Sequence, residues 1–302
     1  MSMMWAAIIT GSLVGSALLG ISLQMLLANN FIGTEVHDMT ASAPIQPAST
    51  KSAPAESAPA ESAPAESAPA ESAPAESAPA ESAPTAPNLI SYWKFDGEET
   101  GLNDFTSFGN NGVLTGTESY VEGKIGKALN FDGSSYITLA NEPNFDFERT
   151  NPFSISFWLK SGTSQDLKSI VYKGADINSQ GWGIFVRSDS NIHFQLVNTD
   201  SSNEIEVRSI SISDLFDGMW HHICITYDGS SSAGGVKIYY DGISQWRDPI
   251  SNTLTDSILN DVAVKIGGFD NDKSYTGEID DFRVYNKELS ADEVLQLYNF
   301  NI

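Results

Sequence analysis

Residues 88–302 alternate between short apolar stretches and turn-forming residues, a pattern typical of β-rich domains. In the stretch FSISFWLK, the side chains of Phe153, Ile155, Phe157 and Leu159 occupy every second position and therefore share one face of a strand. About a dozen such stretches are separated by turns, several of which contain the dipeptide Asp-Gly. This spacing predicts an antiparallel sandwich or barrel.

A single short helix is predicted at the end of this domain. Ser290 and Glu293 are spaced as a capping box, in which each residue bonds to the backbone of the other. The apolar residues that follow, Val294, Leu295, Leu297 and Tyr298, are spaced for one helical face.

The first residues form an apolar segment. Met3 to Ala28 contains no charged side chain, and 26 residues rise about 39 Å as a helix, more than the roughly 30 Å of a bilayer core. We predict an uncleaved transmembrane helix within residues 1–29, because a signal peptide, the alternative, begins with basic residues and has a shorter apolar region. The small residues Gly11 and Gly15 predict self-association through this helix.

Residues 30–87 have the composition of a linker. Ser52 to Glu81 is the pentapeptide SAPAE repeated six times. Proline in every unit prevents a continuous helix and favours polyproline II, and the glutamates repel each other. We predict a disordered stalk without a packed core, with a reach of at most about 110 Å over Ser52 to Pro87, between the membrane and a domain at residues 88–302.

The net charge of the chain limits the classes of partner that it is expected to bind. The formal net charge is −23, from 16 basic and 39 acidic residues. Such a surface repels phosphate backbones, so the composition argues against nucleic-acid binding. It is compatible with calcium, cationic partners or neutral sugars.

The order of segments in residues 89–298 resembles the concanavalin A-like jelly roll of the laminin G-like group. The segments that carry the resemblance are SYWKFDGEE, SFGNNGVLTG, GKALNFDGSSYITL, PFSISFWLK, DGMWHHICITYDG, VKIYYDG, IGG and GEIDDFRVYNKELSADEVLQLY. The resemblance implies an all-β sandwich of two antiparallel sheets with a concave face. It leaves function open, because this fold hosts lectins, adhesion modules, spacers and glucanases.

Two stretches contain closely spaced acids of the kind that form the active site of a glucanase. Retaining glucanases of this fold carry an E-x-D-x-x-E strand, which Glu278 and Asp280 begin, but Arg283 occupies the position of the second glutamate. Arginine cannot act as a general acid at neutral pH. Glu204 and Glu206 are likewise followed by no third acid. His221 and His222 are interpreted as core or edge histidines of a strand, so we predict no enzymatic activity.

The resemblance also implies a structural calcium ion, held where the first and last strands are neighbours. Its ligands would be Asp96 and either Asp280 or Asp281, because strand alternation directs consecutive side chains to opposite faces. Asp104 and Asn111, in the loop after the first strand, would add oxygen ligands. The alternative is that these residues form turns or face water.

Candidate ligand-binding residues are aromatic and polar residues near turns. They are Trp182, Trp246, Phe269, Asp270 and Asn271. The loop that contains the last three is equally suited to a second cation.

These observations together predict a single-pass membrane protein whose C-terminal domain lies outside the cell or on a virion surface. We expect this domain to recognise a glycan or an extracellular protein without catalysis. The alternatives are a glycosidase of the same fold, and a structural surface protein without a soluble ligand.

Overall fold

The structure, a computed structural model, describes residues 87–97, 101–199, 202–269 and 272–300. These residues contain sixteen strands and one α-helix. The elements are β1 (Leu89–Trp93), β2 (Gly112–Thr115), β3 (Tyr120–Glu122), β4 (Lys127–Asp132), β5 (Tyr136–Leu139), β6 (Phe153–Lys160), β7 (Lys168–Lys173), β8 (Gly181–Val186), β9 (Ile192–Thr199), β10 (Asn203–Ser209), β11 (His221–Tyr227), β12 (Val236–Tyr240), β13 (Ile243–Ser244), β14 (Arg247–Asn252), β15 (Val264–Ile266), β16 (Thr276–Tyr285) and α1 (Ala291–Asn299).

The strands form two antiparallel sheets, as the jelly-roll resemblance implies. The first sheet has the order β13-β12-β11-β6-β16-β4-β3, and β1 also pairs with β16. The second sheet has the order β14-β10-β9-β8-β7-β15-β5-β2. The first and last strands are neighbours, because β1 pairs with the second half of β16 while β4 pairs with its first half. The prediction of an all-β jelly-roll sandwich is confirmed.

Apolar side chains from both sheets meet in one inter-sheet core. The alternate residues Phe153, Ile155, Phe157 and Leu159 of β6 are all buried there, as their two-residue spacing predicts. Phe157 stacks on Phe282 of β16 with ring centroids 5.3 Å apart. Burying each such side chain contributes about 1.5–3 kcal/mol to stability, so this core is the main reason that the sheets stay together.

The outer face of the first sheet is covered by α1. The buried residues beneath the helix form a second apolar cluster, called here the helix-side cluster: Leu89, Tyr92, Cys224, Tyr239, Tyr285, Leu289 and Val294. The predicted capping box is present, since the Ser290 hydroxyl accepts from the Glu293 backbone N–H and the Glu293 carboxylate accepts from that of Ser290. Leu295, expected on the apolar side, is instead partly exposed.

In the part of the chain that the structure describes, no helix is long and apolar enough to cross a membrane. The predicted transmembrane segment at residues 1–29, including Gly11 and Gly15, lies outside the described residues. So do the SAPAE repeats, and so do Asp270 and Asn271.

Candidate functional site

The two consecutive acids of β16, Asp280 and Asp281, lie on the same face of the strand. Their neighbours Ile279 and Phe282 are both buried in the inter-sheet core. The pairing of β16 with β6 shifts register between Asp280 and Arg283, and Asp281 has a positive φ of 53°, which together mark a β-bulge. The bulge adds one residue to the strand and turns both carboxylates away from the core. The expectation that they point to opposite faces is therefore wrong.

Asp280 is a fully buried carboxylate that lacks a full set of partners. Its Oδ2 accepts a hydrogen bond from the Ile125 backbone N–H at 2.9 Å, while its Oδ1 is buried without a partner. Burial raises the pKa of Asp280 to about 7, and the neighbouring charges of Asp281 and Asp96 act in the same direction. This carboxylate therefore takes up a proton near neutral pH unless a cation compensates its charge.

Asp281 forms a buried ion pair with Arg283, with Oδ2 and Nη1 2.5 Å apart. The guanidinium of Arg283 also lies over the ring of Tyr92, 4.3 Å from its centroid, in the helix-side cluster. The residue at the position of a glucanase's second glutamate is thus a buried cation with a structural partner. Glu278, at the first position, is paired with Lys160 at 3.4 Å.

Asp96 and Asp280 hold the turn between β3 and β4 from two sides. Asp96 Oδ1 accepts from the Lys127 backbone N–H at 3.0 Å, and Asp280 accepts from Ile125 in the same turn. A Cβ atom at Gly126 would lie 2.1 Å from Asp96 Oδ1, so the backbone can approach this carboxylate only at a glycine. The two acids predicted to share a calcium ion therefore lie in one neighbourhood of the fold, and the metal stays a prediction.

The predicted ligands Asp104 and Asn111 have a different role. The two carboxylate oxygens of Asp104 accept from the backbone N–H groups of Tyr92, Thr106 and Asn110 and from the Thr106 hydroxyl. The side-chain oxygen of Asn111 accepts from the Asp104 N–H at 2.9 Å. These oxygens fix the loop after β1, because buried backbone donors need partners. Calcium binding by these two residues stays a prediction.

Of the three aromatic residues predicted to bind a ligand, two are buried and one is exposed. Trp182 has no exposed surface, and its indole N–H donates to the Phe145 carbonyl. Phe269 is 4% exposed and packs on Tyr172 with centroids 5.7 Å apart. Neither ring can stack on a ligand from solvent, so both predictions are corrected. Trp246, by contrast, is 77% exposed and stays a candidate.

Trp246 lies beside a polar pocket at one edge of the second sheet. Its carbonyl accepts from the Ile210 N–H at 3.1 Å, and Ile210 lines a pocket of about 360 Å³. Trp246 itself lines an adjacent open cavity of about 260 Å³ with Gln245 and Arg247. The other residues of the larger pocket are Asp189, Asn191, Arg208, Ser209, Ser211 and Asp248.

Polar side chains in this pocket are held in place by hydrogen bonds to one another. Arg208 donates to Asp248 Oδ2 through Nη2 at 2.9 Å and Nε at 3.3 Å, which orients its guanidinium across β10 and β14. Asn191 donates to Asp189 at 3.1 Å, while its own side-chain oxygen is buried without a partner. The pocket therefore offers a charged donor, two carboxylates and an amide oxygen without a partner.

A polar network continues from this pocket along β9 and β10. His193 Nδ1 lies 2.8 Å from Glu206 Oε1, and the Gln195 amide donates to Asn178 at 2.7 Å. Burial raises the pKa of Glu206, but the hydrogen bonds from His193 and Gln195 and the charges of His193 and Arg187 together lower the pKa overall. His193 Nε2 and Gln195 Oε1 are buried without partners. Sequence reasoning missed this network, although His193 and Gln195 alternate with core residues in the stretch IHFQLVN.

A serine and a histidine also lie within hydrogen-bonding distance, but they do not form a catalytic triad. Ser156 Oγ is 2.9 Å from His222 Nε2, but both residues are buried and His222 Nδ1 has no partner to orient the ring. Burial lowers the pKa of His222 to about 3, so the imidazole is neutral. The pair lacks a third residue and access to substrate. The interpretation of His222 as a core histidine is confirmed.

The comparisons with known proteins agree with the fold. A sequence profile described as the concanavalin A-like lectin/glucanases superfamily matches residues 131–295, more than half of the chain. A curated relative, botulinum neurotoxin type X of Clostridium botulinum, is 29% identical over 184 residues, which cover 59% of this chain and 13% of the neurotoxin. The chain thus spans a small part of that relative's length.

Two solved structures resemble the described domain. The binding domain of Paraclostridial Mosquitocidal Protein 1 has a TM-score of 0.55 and 20% identity, over 70% of this chain and 52% of that one. Domain 4 of AbnA, a GH43 extracellular arabinanase from Geobacillus stearothermophilus, in complex with arabinotriose, has a TM-score of 0.53 and 24% identity, over 70% of this chain and 98% of that one. At these identities the likeness establishes the fold alone.

Proposed function

Because this chain belongs to the concanavalin A-like lectin/glucanases superfamily, we propose that its C-terminal domain is a non-catalytic binding module that recognises a glycan. The observation that carries the proposal is the largely exposed side chain of Trp246, a residue whose carbonyl bonds to Ile210 and which lies two positions before Asp248, where Ile210 and Asp248 both line the pocket of charged and amide groups. Tryptophan is enriched at binding interfaces, because it offers a large apolar ring together with a polar N–H group.

The chemistry of the pocket fits a neutral sugar. An indole face packs against the apolar face of a pyranose ring, and the oriented Arg208–Asp248 pair offers donors and acceptors to hydroxyl groups. Three buried atoms along this face, of Asn191, His193 and Gln195, are acceptors without partners when His193 carries its proton on Nδ1. Of the three residues, Asn191 lines the pocket, so a ligand hydroxyl group or a bridging water would satisfy its oxygen.

The absence of catalysis is argued from the groups that hydrolysis would need. A retaining glycosidase requires a second carboxylate about 5.5 Å from the first. In the sequence motif of β16, Arg283 occupies the place of the residue that would supply it. In β10, the lowered pKa of Glu206 suits an acceptor that stays ionised and opposes a role as general acid. Both observations favour binding over hydrolysis.

The relatives support the same class of function. The mosquitocidal protein is represented by its binding domain, and the arabinanase domain is bound to arabinotriose. A protein ligand is the second candidate for this chain, because Ile243 and Met219 add exposed apolar surface to that of Trp246. A protein interface would need this apolar surface at its centre, whereas a sugar site would need the polar pocket.

We propose further that a calcium ion binds near the bulge of β16, with Asp96, Asp280 and Asp281 as candidate ligands. The support is the buried, unpartnered oxygen of Asp280, since calcium prefers carboxylate and carbonyl oxygens. Such an ion would join β16 to the chain that follows β1 and would have a structural role.

We also propose that the domain is attached to a membrane through a stalk, and this proposal rests on the sequence. The apolar residues 1–29 would anchor the chain in a membrane, and the SAPAE stalk would hold the domain outside the cell or on a virion surface. Helix pairing through Gly11 and Gly15 would bring two domains side by side and raise avidity for a multivalent ligand.

The test of the proposed function is a parallel measurement of binding and turnover. The full chain is applied to an array of neutral and acidic glycans, and the oligosaccharides that bind are then incubated with it and analysed for shorter products. We expect binding without hydrolysis. Hydrolysis that is lost in Glu278→Gln or Glu206→Gln would replace the proposal by an enzyme, and binding to a protein alone would favour the second candidate.

A further inference from the structure

A cluster of metal-ligating side chains lies apart from the acids of β16, where the loop after β10 leads into β11. The side chains are those of Asp214, Asp217 and His221, and their ligand atoms lie within 4.8 Å of one another. Among the residues that the structure describes, this is the one group of at least three His, Cys, Asp or Glu residues whose ligand atoms come this close together. Asp214 and Asp217 are exposed and His221 is buried, so the cluster is open to solvent on its carboxylate side.

The imidazole of His221 is held in one orientation. Its Nδ1 lies 3.0 Å from Asp241 Oδ2 and 2.6 Å from the Tyr240 hydroxyl. Asp241 is itself fixed, because its Oδ1 accepts the His222 backbone N–H at 2.8 Å. A carboxylate can only accept hydrogen bonds when ionised, so Nδ1 is the donor to Asp241, and Nε2 carries a lone pair whenever the ring is neutral.

That lone pair faces another acceptor. His221 Nε2 lies 3.2 Å from Asp217 Oδ1, which the Met219 backbone N–H holds in place at 2.7 Å. Two acceptors at this distance repel each other unless a positive species lies between them. Either a proton or a metal ion can supply that charge, and the nearby carboxylate of Asp214 provides a third ligand for a metal.

We propose that His221, Asp214 and Asp217 bind a Zn²⁺ ion, with water completing a tetrahedron and with Asp241 and Tyr240 orienting the imidazole. One nitrogen and two carboxylate oxygens are ligands typical of zinc, and a histidine that donates its other N–H to a carboxylate is the usual support of such a site. Calcium and magnesium prefer oxygen ligands alone. Tetrahedral ligands at about 2.0–2.2 Å from zinc are closer together than 4.8 Å. His221 Nε2 and Asp217 Oδ1, 3.2 Å apart, already meet this requirement, and a rotation of the exposed Asp214 side chain would bring in the third ligand.

The ion would tie the loop after β10 to the first residue of β11, His221, which the end of β12 holds in turn. Asp214 and Asp217 belong to the loop, whereas Tyr240 and Asp241 lie at the end of β12 and in its turn. The loop begins at Ile210 and Ser211, which line the polar pocket. A bound ion would thus hold a segment whose first residues contact the proposed ligand, without itself touching that ligand.

The test uses the untagged full chain, stripped of metal by a chelator. Zn²⁺ binding is followed by titration calorimetry, and Co²⁺ is used as a visible probe, because tetrahedral cobalt absorbs more strongly than octahedral cobalt. We expect one equivalent of Zn²⁺ and a tetrahedral cobalt spectrum for the natural chain. We expect both to be lost in the double variant Asp214→Asn/Asp217→Asn, whose substitutions are on exposed side chains and leave the core intact. Asp166→Asn, another exposed aspartate, is the matched control.

Asp241→Asn tests the orienting role of this residue. Asparagine tolerates the positive φ of 49° at this position, and we expect the affinity for Zn²⁺ to fall by about 10–100-fold. The proposal is overturned if the natural chain takes up no Zn²⁺, or if the double variant binds it as tightly as the natural chain. Neither result bears on glycan binding, so the two proposals fail separately.

Discussion

Asp280 and Asp281 are consecutive in β16, yet their carboxylates lie on the same face of the first sheet. The bulge between Asp280 and Arg283 produces this arrangement. It leaves one acid, Asp281, paired with Arg283 and the other, Asp280, buried with an unpartnered oxygen. The two acids should therefore respond differently to pH, to calcium and to substitution.

Asp280 should make the domain less stable as the pH rises through the weakly acidic range. The pKa of Asp280 is about 7 in the folded chain, against 3.8 for an ordinary aspartate. Between these values the unfolded chain has lost the proton while the folded chain keeps it, so the free energy of unfolding falls as pH rises from about 4 to about 7. At 1.36 kcal/mol per pKa unit, the loss has a ceiling of about 4 kcal/mol.

Urea denaturation at a series of pH values, in the presence of a chelator, measures this effect. In Asp280→Asn the corresponding part of the pH dependence should disappear, whereas Asp166→Asn should keep it. Equal pH dependence of the natural chain and Asp280→Asn would show that Asp280 ionises normally in the folded state.

Calcium should reverse the destabilisation by Asp280. An ion bound to the Asp280 carboxylate favours its ionised form, so the melting temperature should rise with added Ca²⁺ at pH 7.5 and much less at pH 5. Thermal melting of the natural chain, Asp280→Asn and Asp166→Asn over a Ca²⁺ titration checks this. The calcium proposal fails if the melting temperature does not change and elemental analysis finds no calcium in the equilibrated chain.

Removing Arg283 should be strongly destabilising. Arg283→Met leaves Asp281 buried without its partner, which costs about 3–5 kcal/mol of unfolding free energy. The double variant Asp281→Asn/Arg283→Met should recover part of this loss, because no unpaired charge remains. Lys237→Met breaks the exposed pair with Glu288 and should cost less than about 1 kcal/mol. If Arg283→Met and Lys237→Met cost the same, the buried pair is not a structural element of β16.

The sequence predicted the sandwich because its signals are local. The alternation in FSISFWLK, the Asp-Gly turns and the capping box at Ser290 each follow from spacing within a few residues. The pairing of β1 with β16 was implied by the resemblance and is present. These parts of the fold are settled by the two-residue period of strands and by turn chemistry.

The site was harder to predict because it depends on tertiary contacts. A β-bulge has no sequence signal in EIDDF, so alternation placed Asp280 and Asp281 on opposite faces. Asp104 has the side chain of a calcium ligand, but its oxygens accept from backbone N–H groups of β1 and of its own loop. Trp182 follows a turn glycine in the sequence, yet its ring lies in the inter-sheet core. Burial and partners decide each of these cases, and neither can be read from neighbours in the chain.

Recognition of a glycan through Trp246 is the central claim, and one measurement tests it directly. The measurement is the affinity of the full chain, by titration calorimetry, for the best neutral oligosaccharide from the glycan array, compared among the natural chain, Trp246→Ala and Phe108→Ala. Phe108 is the control, because it is an exposed aromatic residue that does not line the polar pocket or the cavity beside Trp246. Loss of a stacked indole should weaken binding by about 10–100-fold, corresponding to roughly 1.4–2.8 kcal/mol, while Phe108→Ala should bind as the natural chain does. Unchanged affinity in Trp246→Ala would contradict the account.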